Sequence, residues 1–214
     1  MIDKLPSSTS FQDDHVKIVE RETVFEGFFK MERVQLHHRL FEGGWSKLLT
    51  REVFVRNPTV GAVMYDPLND LIGLIEQFRI GACGTEKSPW LFEVVAGIEE
   101  KTDESKAAII TRELREEANM VPERLMPICD YFPSPGGSTE SMTLFCALGD
   151  LCELGGVHGL PEEGEDIRVW IQPAEAILDD LYSGKYNNSA TLICLQWLTI
   201  NRAQLRKSLS NDAP

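Results

Sequence analysis

The segment that most constrains this chain is SKAAIITRELREEANM, residues 105–120. Its spacing predicts a helix with Ala107, Ile110, Leu114 and Ala118 on one apolar stripe. Glu113, Glu116 and Glu117 are three and four positions apart, which puts all three on nearly one helical face. Like charges at that spacing repel, at a cost of tenths of a kcal/mol per pair. A divalent cation reverses the sign, and hard carboxylate oxygens suit Mg²⁺ or Mn²⁺ better than zinc. The plainer reading of the segment by itself is a solvated acidic face balanced by Arg112 and Arg115.

Most of the remaining chain reads as strand. VKIVERETVFEGFFKMERVQLHHRL alternates β-branched and aromatic residues around a turn at Gly27, and strand character returns after Gly43-Gly44 in LLTREVFVRN. Residues 1–55 are therefore expected to form a small antiparallel β layer, residues 56–208 a main domain and residues 209–214 a frayed tail, with residues 1–14 loose. TVGAVMYD and LIGLIEQFR flank the turn residues PLND and predict a hairpin. WLFEVVAG reads as one strand, followed after the helix by ICDY, SMTLFCAL and IRVWIQ. PAEAILDDLYSG reads as a helix with Pro near its start and Gly after its end, and NNSATLICLQWLTINRAQLRKSL as a terminal helix capped by Asn188 or Ser189. Without a regular βαβ rhythm, the expected class is α+β, a mixed sheet sandwiched between helices.

Charge narrows the function. With 21 basic and 34 acidic residues the formal net charge is −13. That disfavours a nucleic-acid partner, which needs a basic face, and an anionic membrane surface. An anionic small molecule stays possible if a bound cation supplies positive charge. No apolar run is long enough for a membrane span, and the N-terminus does not read as a signal peptide. Five scattered cysteines with no C-x-x-C read as buried small side chains in a reducing cytoplasm.

The stretch from Gly97 to Met120 resembles the Nudix box, G-x(5)-E-x(7)-R-E-U-x-E-E-x-G-U, with U a bulky apolar residue. Glu104 and then, after seven intervening residues, Arg112-Glu113-Leu114-Arg115-Glu116-Glu117 match without a gap. Two positions depart from it. Six residues rather than five separate Gly97 from Glu104, and Asn119 replaces the final glycine. Asn is the next best residue for a left-handed helix end, so the geometry is expected to survive. SPGGSTE at residues 134–140 places Pro135 sixteen positions after Asn119, and RETVFEGFF, LTREVFVR, LIEQFRI, PWLFEVVAG, HGLPEEGEDIRV and NNSATLICLQWL extend the likeness. The chain is similar to the bacterial ADP-ribose pyrophosphatase branch of the Nudix hydrolases.

That resemblance implies a Nudix fold and metal-dependent cleavage of ADP-ribose to AMP and ribose 5-phosphate. It implies Mg²⁺, with Mn²⁺ as a substitute, held by Glu113, Glu116, Glu117, Glu165 and the carbonyl of Ala96. It implies Glu163 as general base, with Glu116 supporting the cluster, and Arg112 in a structural pair with Glu104 or Glu116. Arg79 would contact phosphate, Phe28 and Arg51 would hold adenine from opposite chains of a swapped homodimer, and Ser134 and Glu140 would touch substrate. Rival readings are a Nudix enzyme for GDP-mannose or ADP-glucose, and a non-catalytic nucleotide-sensing module. The intact acids at 113, 116 and 117 disfavour the last.

Overall fold

The structure is a computed structural model that describes residues 11–100 and 103–211. It divides into two compact units, residues 1–56 with 134–140 and residues 57–133 with 141–214.

The first unit is a three-stranded antiparallel sheet of β1 (Val16–Glu26), β2 (Lys30–His38) and β3 (Leu49–Val55), in that order. Gly27 lies in the β1–β2 turn as expected, and Gly43-Gly44 turn the chain towards β3. Of the segment 1–14 expected to be loose, residues 1–10 lie outside the described residues, and Asp13–His15 forms a short 3-10 turn. Residues 134–140 join this unit because Phe54 N donates to Gly137 O at 2.8 Å and Thr139 N donates to Phe54 O at 3.0 Å. Every residue of β1 is exposed.

The second unit is a mixed eight-stranded sheet between helices, the expected α+β class. β4 (Thr59–Asp66) and β5 (Leu71–Phe78) form the predicted hairpin. The hairpin is closed by the Asp66 carboxylate, which accepts from Leu68 N, Asn69 N and Asn69 Nδ2. The two strands pair only from Met64 to Asp66 against Leu71 to Gly73 and then splay apart. The predicted strand WLFEVVAG fills the gap as two strands: β6 (Trp90–Glu93) pairs with β5, and β7 (Val95–Ile98) pairs with β4. The change of partner falls at Val94, whose N–H is taken by Thr191 Oγ1 at 3.1 Å.

β8 (Arg124–Tyr131) and β9 (Met142–Leu148) continue the sheet beyond β4, β4–β9 being its parallel pair. β10 (Gly156–His158) and β11 (Ile167–Pro173) close the other side against β5. β10 was not expected, since its three residues lie in a Gly-rich loop with no alternation to read.

β4 is buried along its whole length because both faces are covered. Val60, Ala62 and Met64 face α1 (Lys106–Ala118). Val63 and Tyr65 face α2 (Ala174–Asp179) and α3 (Ser189–Asn211). Asn188 proves to be the cap of α3, accepting from Thr191 N at 3.0 Å. α3 runs to Asn211, past the start of the expected frayed tail, and residues 212–214 lie outside the described residues. At the hairpin tip Asp70 accepts from Tyr65 Oη and pairs with Arg202 and Arg206, which fastens α3 to the sheet. Two cysteines correct the sequence reading: Cys146 and Cys194 are buried and Cys129 is half-buried, but Cys83 and Cys152 are exposed.

Candidate active site

α1 carries most of the site. Ser105 caps it by accepting from Ala108 N at 3.2 Å. Asn119 ends it in the left-handed conformation with φ 52°. Asn119 N donates to Arg115 O and Met120 N to Leu114 O, so asparagine takes the place of the missing glycine. The buried stripe is Ile109, Ile110, Leu114 and Ala118, and Ala107 is exposed, contrary to the expectation. Ala107 sits one turn too early to reach the sheet, and Ile109 takes its place. Each buried Ile or Leu contributes about 1.5–3 kcal/mol, which outweighs repulsion of tenths per acidic pair. The helix therefore forms in spite of its acids.

Glu117 is the exception among those acids, because it points with the core face and is only 4% exposed. Its Oε2 is buried with no hydrogen-bond partner. Burial, then the charges of Glu113 and Glu165, push its carboxyl up to about 8, while the Ala96 N–H and Arg79 pull the other way. Glu113 is also raised, first by burial, with Arg112 opposing and Glu116 and Glu165 adding to it. Arg112 bridges Glu113 and Glu116 at 2.9 Å each, and orients both. Glu104 is close enough to act on Arg112 only through its charge.

Gly97 explains itself here. A Cβ at that position would lie 2.4 Å from Oε1 and Cγ of Glu113, so the carboxylate rests directly on the backbone of β7. A Gly97→Ala change is expected to displace Glu113 at a cost of about 1–3 kcal/mol. Thermal melts with and without Mg²⁺ check this, the variant melting lower and losing much of its response to the ion.

Glu165 arrives from the other side, on the loop before β11. Leu160 N donates to its Oε2 at 3.0 Å. Gly159, at φ +104°, passes so close that a Cβ would sit 2.7 Å from that of Glu165. Glu163 ends the 3-10 turn Pro161–Glu163, and its side chain lies outside the described residues. The extra residue between Gly97 and Glu104 falls in a loop whose residues 101–102 also lie outside them.

The structure thus brings together Glu113, Glu117, Glu165, Arg79 and the backbone of Ala96, with Glu116 at the edge through Arg112. Phe28, Arg51, Ser134 and Glu140 belong to the first unit. Phe28 lies in the β1–β2 turn, 89% exposed, with its ring edge-on to Phe29. Arg51, on β3 opposite Val34, is exposed and donates to Thr50 O. The carbonyl of Ser134 accepts from Ser138 N, and Glu140 pairs with Arg56 at 3.4 Å. Among the described residues no contact joins Phe28 to Arg51.

Sequence reading missed Glu93 and Gln77. Glu93 accepts from Arg79 Nε at 2.8 Å and from Gln77 Nε2 at 3.4 Å, and its Oε2 also pairs with Arg79 Nη2 at 2.8 Å. The signal was an acid within an otherwise apolar strand, WLFEVVAG.

The donor set fits a hard divalent cation. A buried carboxylate with one unpartnered oxygen feels the charges of two further carboxylates, an arrangement short of positive charge. Among the described residues, Asp66, Asp150 and Cys152 also lie close together. Asp66 there is already committed, Leu151 N donating to its Oδ2 in addition to the hairpin donors.

A mixed sheet between helices, bearing this acid helix against a glycine of the adjoining strand, is the arrangement of a Nudix hydrolase. The crystal structure titled "ADP compounds hydrolase" shares the fold, with TM-score 0.67, 20% identity, and 93% of this chain and all of that chain covered. No protein-family model matches the chain. The ADP-ribose pyrophosphatase of Haemophilus influenzae is 38% identical over 92% of both chains. That of Escherichia coli K12 is 38% identical over 95% of this chain and 96% of its own. A GDP-mannose pyrophosphatase of Pectobacterium atrosepticum is 27% identical over 85% of this chain and 92% of its own. The chain belongs to the ADP-ribose pyrophosphatase family.

Proposed function

We propose that this protein hydrolyses the pyrophosphate of ADP-ribose, giving AMP and ribose 5-phosphate with one water consumed. The observation that carries the chemistry is the buried, unpartnered Oε2 of Glu117 beside Glu113 and Glu165. The substrate choice is supported by relatives named ADP-ribose pyrophosphatase at 38% identity, against 27% for one named GDP-mannose pyrophosphatase.

Glu113, Glu116, Glu117, Glu165 and the carbonyl of Ala96 would hold Mg²⁺ or Mn²⁺. When bound, the cation supplies positive charge to a pyrophosphate that carries more negative charge in the transition state. The chain's own groups do the rest. Arg79 binds a phosphate oxygen. Glu163 accepts the proton of the attacking water, a role worth about 10²–10⁴-fold for a well-placed base. Arg112 keeps Glu113 and Glu116 aligned. Phe28 and Arg51 hold the adenine by stacking and cation–π attraction, while Ser134 and Glu140 fix the remainder of the substrate.

The test is chromatographic product analysis with ADP-ribose, ADP-glucose and GDP-mannose, each with Mg²⁺ and with EDTA. AMP released fastest from ADP-ribose, and only with the metal, is the expected result. Faster cleavage of GDP-mannose would overturn the substrate, and ligand binding without hydrolysis would turn the reading to a sensing module.

The assembly we propose is a cytoplasmic homodimer sharing the layer of residues 1–55, with no nucleic-acid or membrane partner. Its support is the exposure of β1 and of the turn after it, with Val19 and Phe25 on the strand and Phe28 in the turn all more than half exposed. Among the described residues no helix is long and apolar enough to cross a membrane. Light scattering after size exclusion is expected to give twice 24.1 kDa, and a monomer mass would remove the dimer.

A further inference from the structure

Arg79 stands at the root of an exposed loop. It directly follows β5, and its N–H donates to Pro89 O at 2.8 Å, which closes the chain between them. Ile80, the next residue, is 75% exposed. An arginine in such a place would ordinarily sample many rotamers and lose them on binding an anion.

Here that freedom is already gone. Nε donates to Oε2 of Glu93, Nη2 lies 2.8 Å from the same oxygen in an ion pair, and Gln77 Nε2 approaches that oxygen as well. The Glu93 side chain is only 14% exposed, against 45% for Arg79. Its backbone is fixed on β6 opposite Ile75, while Gln77 is buried on β5 opposite Leu91. The anchor is thus built into the sheet, and the arginine reaches out from it. Among the described residues Arg79 Nη1 makes no hydrogen bond, and Arg79 is one of the charges acting on Glu117.

We propose that Glu93 is a positioning residue for pyrophosphate cleavage: it fixes the Arg79 guanidinium on the sheet and leaves the Nη1 edge for a phosphate oxygen. The proposal rests on the reading of Arg79 as a phosphate contact. Pre-ordering removes a rotamer cost at the moment of reaction, and an arginine fixed in place stabilises developing charge better than one that must be found. The carboxylate also cancels part of the arginine's charge, so its gain falls on geometry more than on ground-state attraction.

This gives a split in the kinetics. Glu93→Ala frees Arg79 with its full charge, so KM for ADP-ribose stays within a few-fold while kcat falls by about 10²-fold. Glu93→Gln keeps an acceptor oxygen of the same shape and is expected to recover kcat to within about tenfold of wild type. In the double variant Glu93→Ala/Arg79→Ala, kcat is no lower than in Arg79→Ala alone, because Glu93 acts only through the arginine. A Mg²⁺-dependent rise in Tm, retained by both Glu93 variants, shows the acid cluster intact. Wild-type kcat in Glu93→Ala, or losses that multiply in the double variant, would overturn the positioning role while leaving Arg79 in place. Wild-type kinetics in Arg79→Ala would overturn both.

Discussion

Glu163→Gln should turn over ADP-ribose about 10²–10⁴-fold more slowly than wild type and still bind it. The side chain keeps its size but can no longer accept a proton. Glu163 lies on a turn between β10 and β11, outside the acid helix, so the loss should fall on kcat with KM little changed. Single-turnover kinetics with equilibrium binding make the separation. The pH profile adds a second readout, since the limb belonging to the general base should vanish in the variant. Turnover near the wild-type rate would remove Glu163 from the mechanism and shift water activation to the helix acids.

Glu117→Gln should have the largest effect on the metal-free protein, and in an unusual direction. The Glu117 carboxyl is raised from an ordinary 4.5 to about 8. Below about pH 4.5 it is protonated whether the chain is folded or not, so it contributes no pH dependence there. Between 4.5 and about 8 the unfolded chain releases this proton and the folded chain keeps it. The folded state therefore loses stability steadily as pH rises, on the order of 4 kcal/mol at the top of the window. Glu113 is raised too and adds with the same sign.

The substituted amide carries no charge, so the Glu117→Gln variant in EDTA should melt higher than wild type at pH 8 and nearly equal to it at pH 4.5. Mg²⁺ should reverse the order at pH 8, because binding to the folded state stabilises wild type and little of that gain reaches the variant. Differential scanning melts at two pH values, with and without the ion, measure all four corners. Equal Mg²⁺ responses in the two proteins would exclude Glu117 as a ligand.

How much of this was legible in the sequence depends on how local each feature is. The helix 106–118, its three acids and its asparagine end were readable because periodicity and capping chemistry are written in consecutive residues. The β4–β5 hairpin was readable from its turn residues. Ala107 was misplaced because the stripe was counted from the wrong turn, and only the sheet decides which turn is covered. The break at Val94 was invisible, since nothing in WLFEVVAG announces that Thr191, far along the chain, takes its N–H. β10 has too few residues to carry a pattern. Glu93 and Gln77 matter only through Arg79, a relation between strands that no single stretch contains.

The splaying of β4 from β5 has a consequence for how such an enzyme can change. The strand that enters the gap holds Glu93 on one half and Gly97 on the other, one anchoring the arginine and the other seating the acid helix. The interval between cation and carboxylates is therefore measured out by a few covalent links of a single extended segment, at about 3.3 Å per residue. The loops around it can lengthen, shorten or drift in sequence to suit a new sugar or base without disturbing that ruler. A deletion of Val94 would not merely trim the strand. It would turn one of the two anchors to the wrong side of the sheet, and the calibration would be lost in a single step.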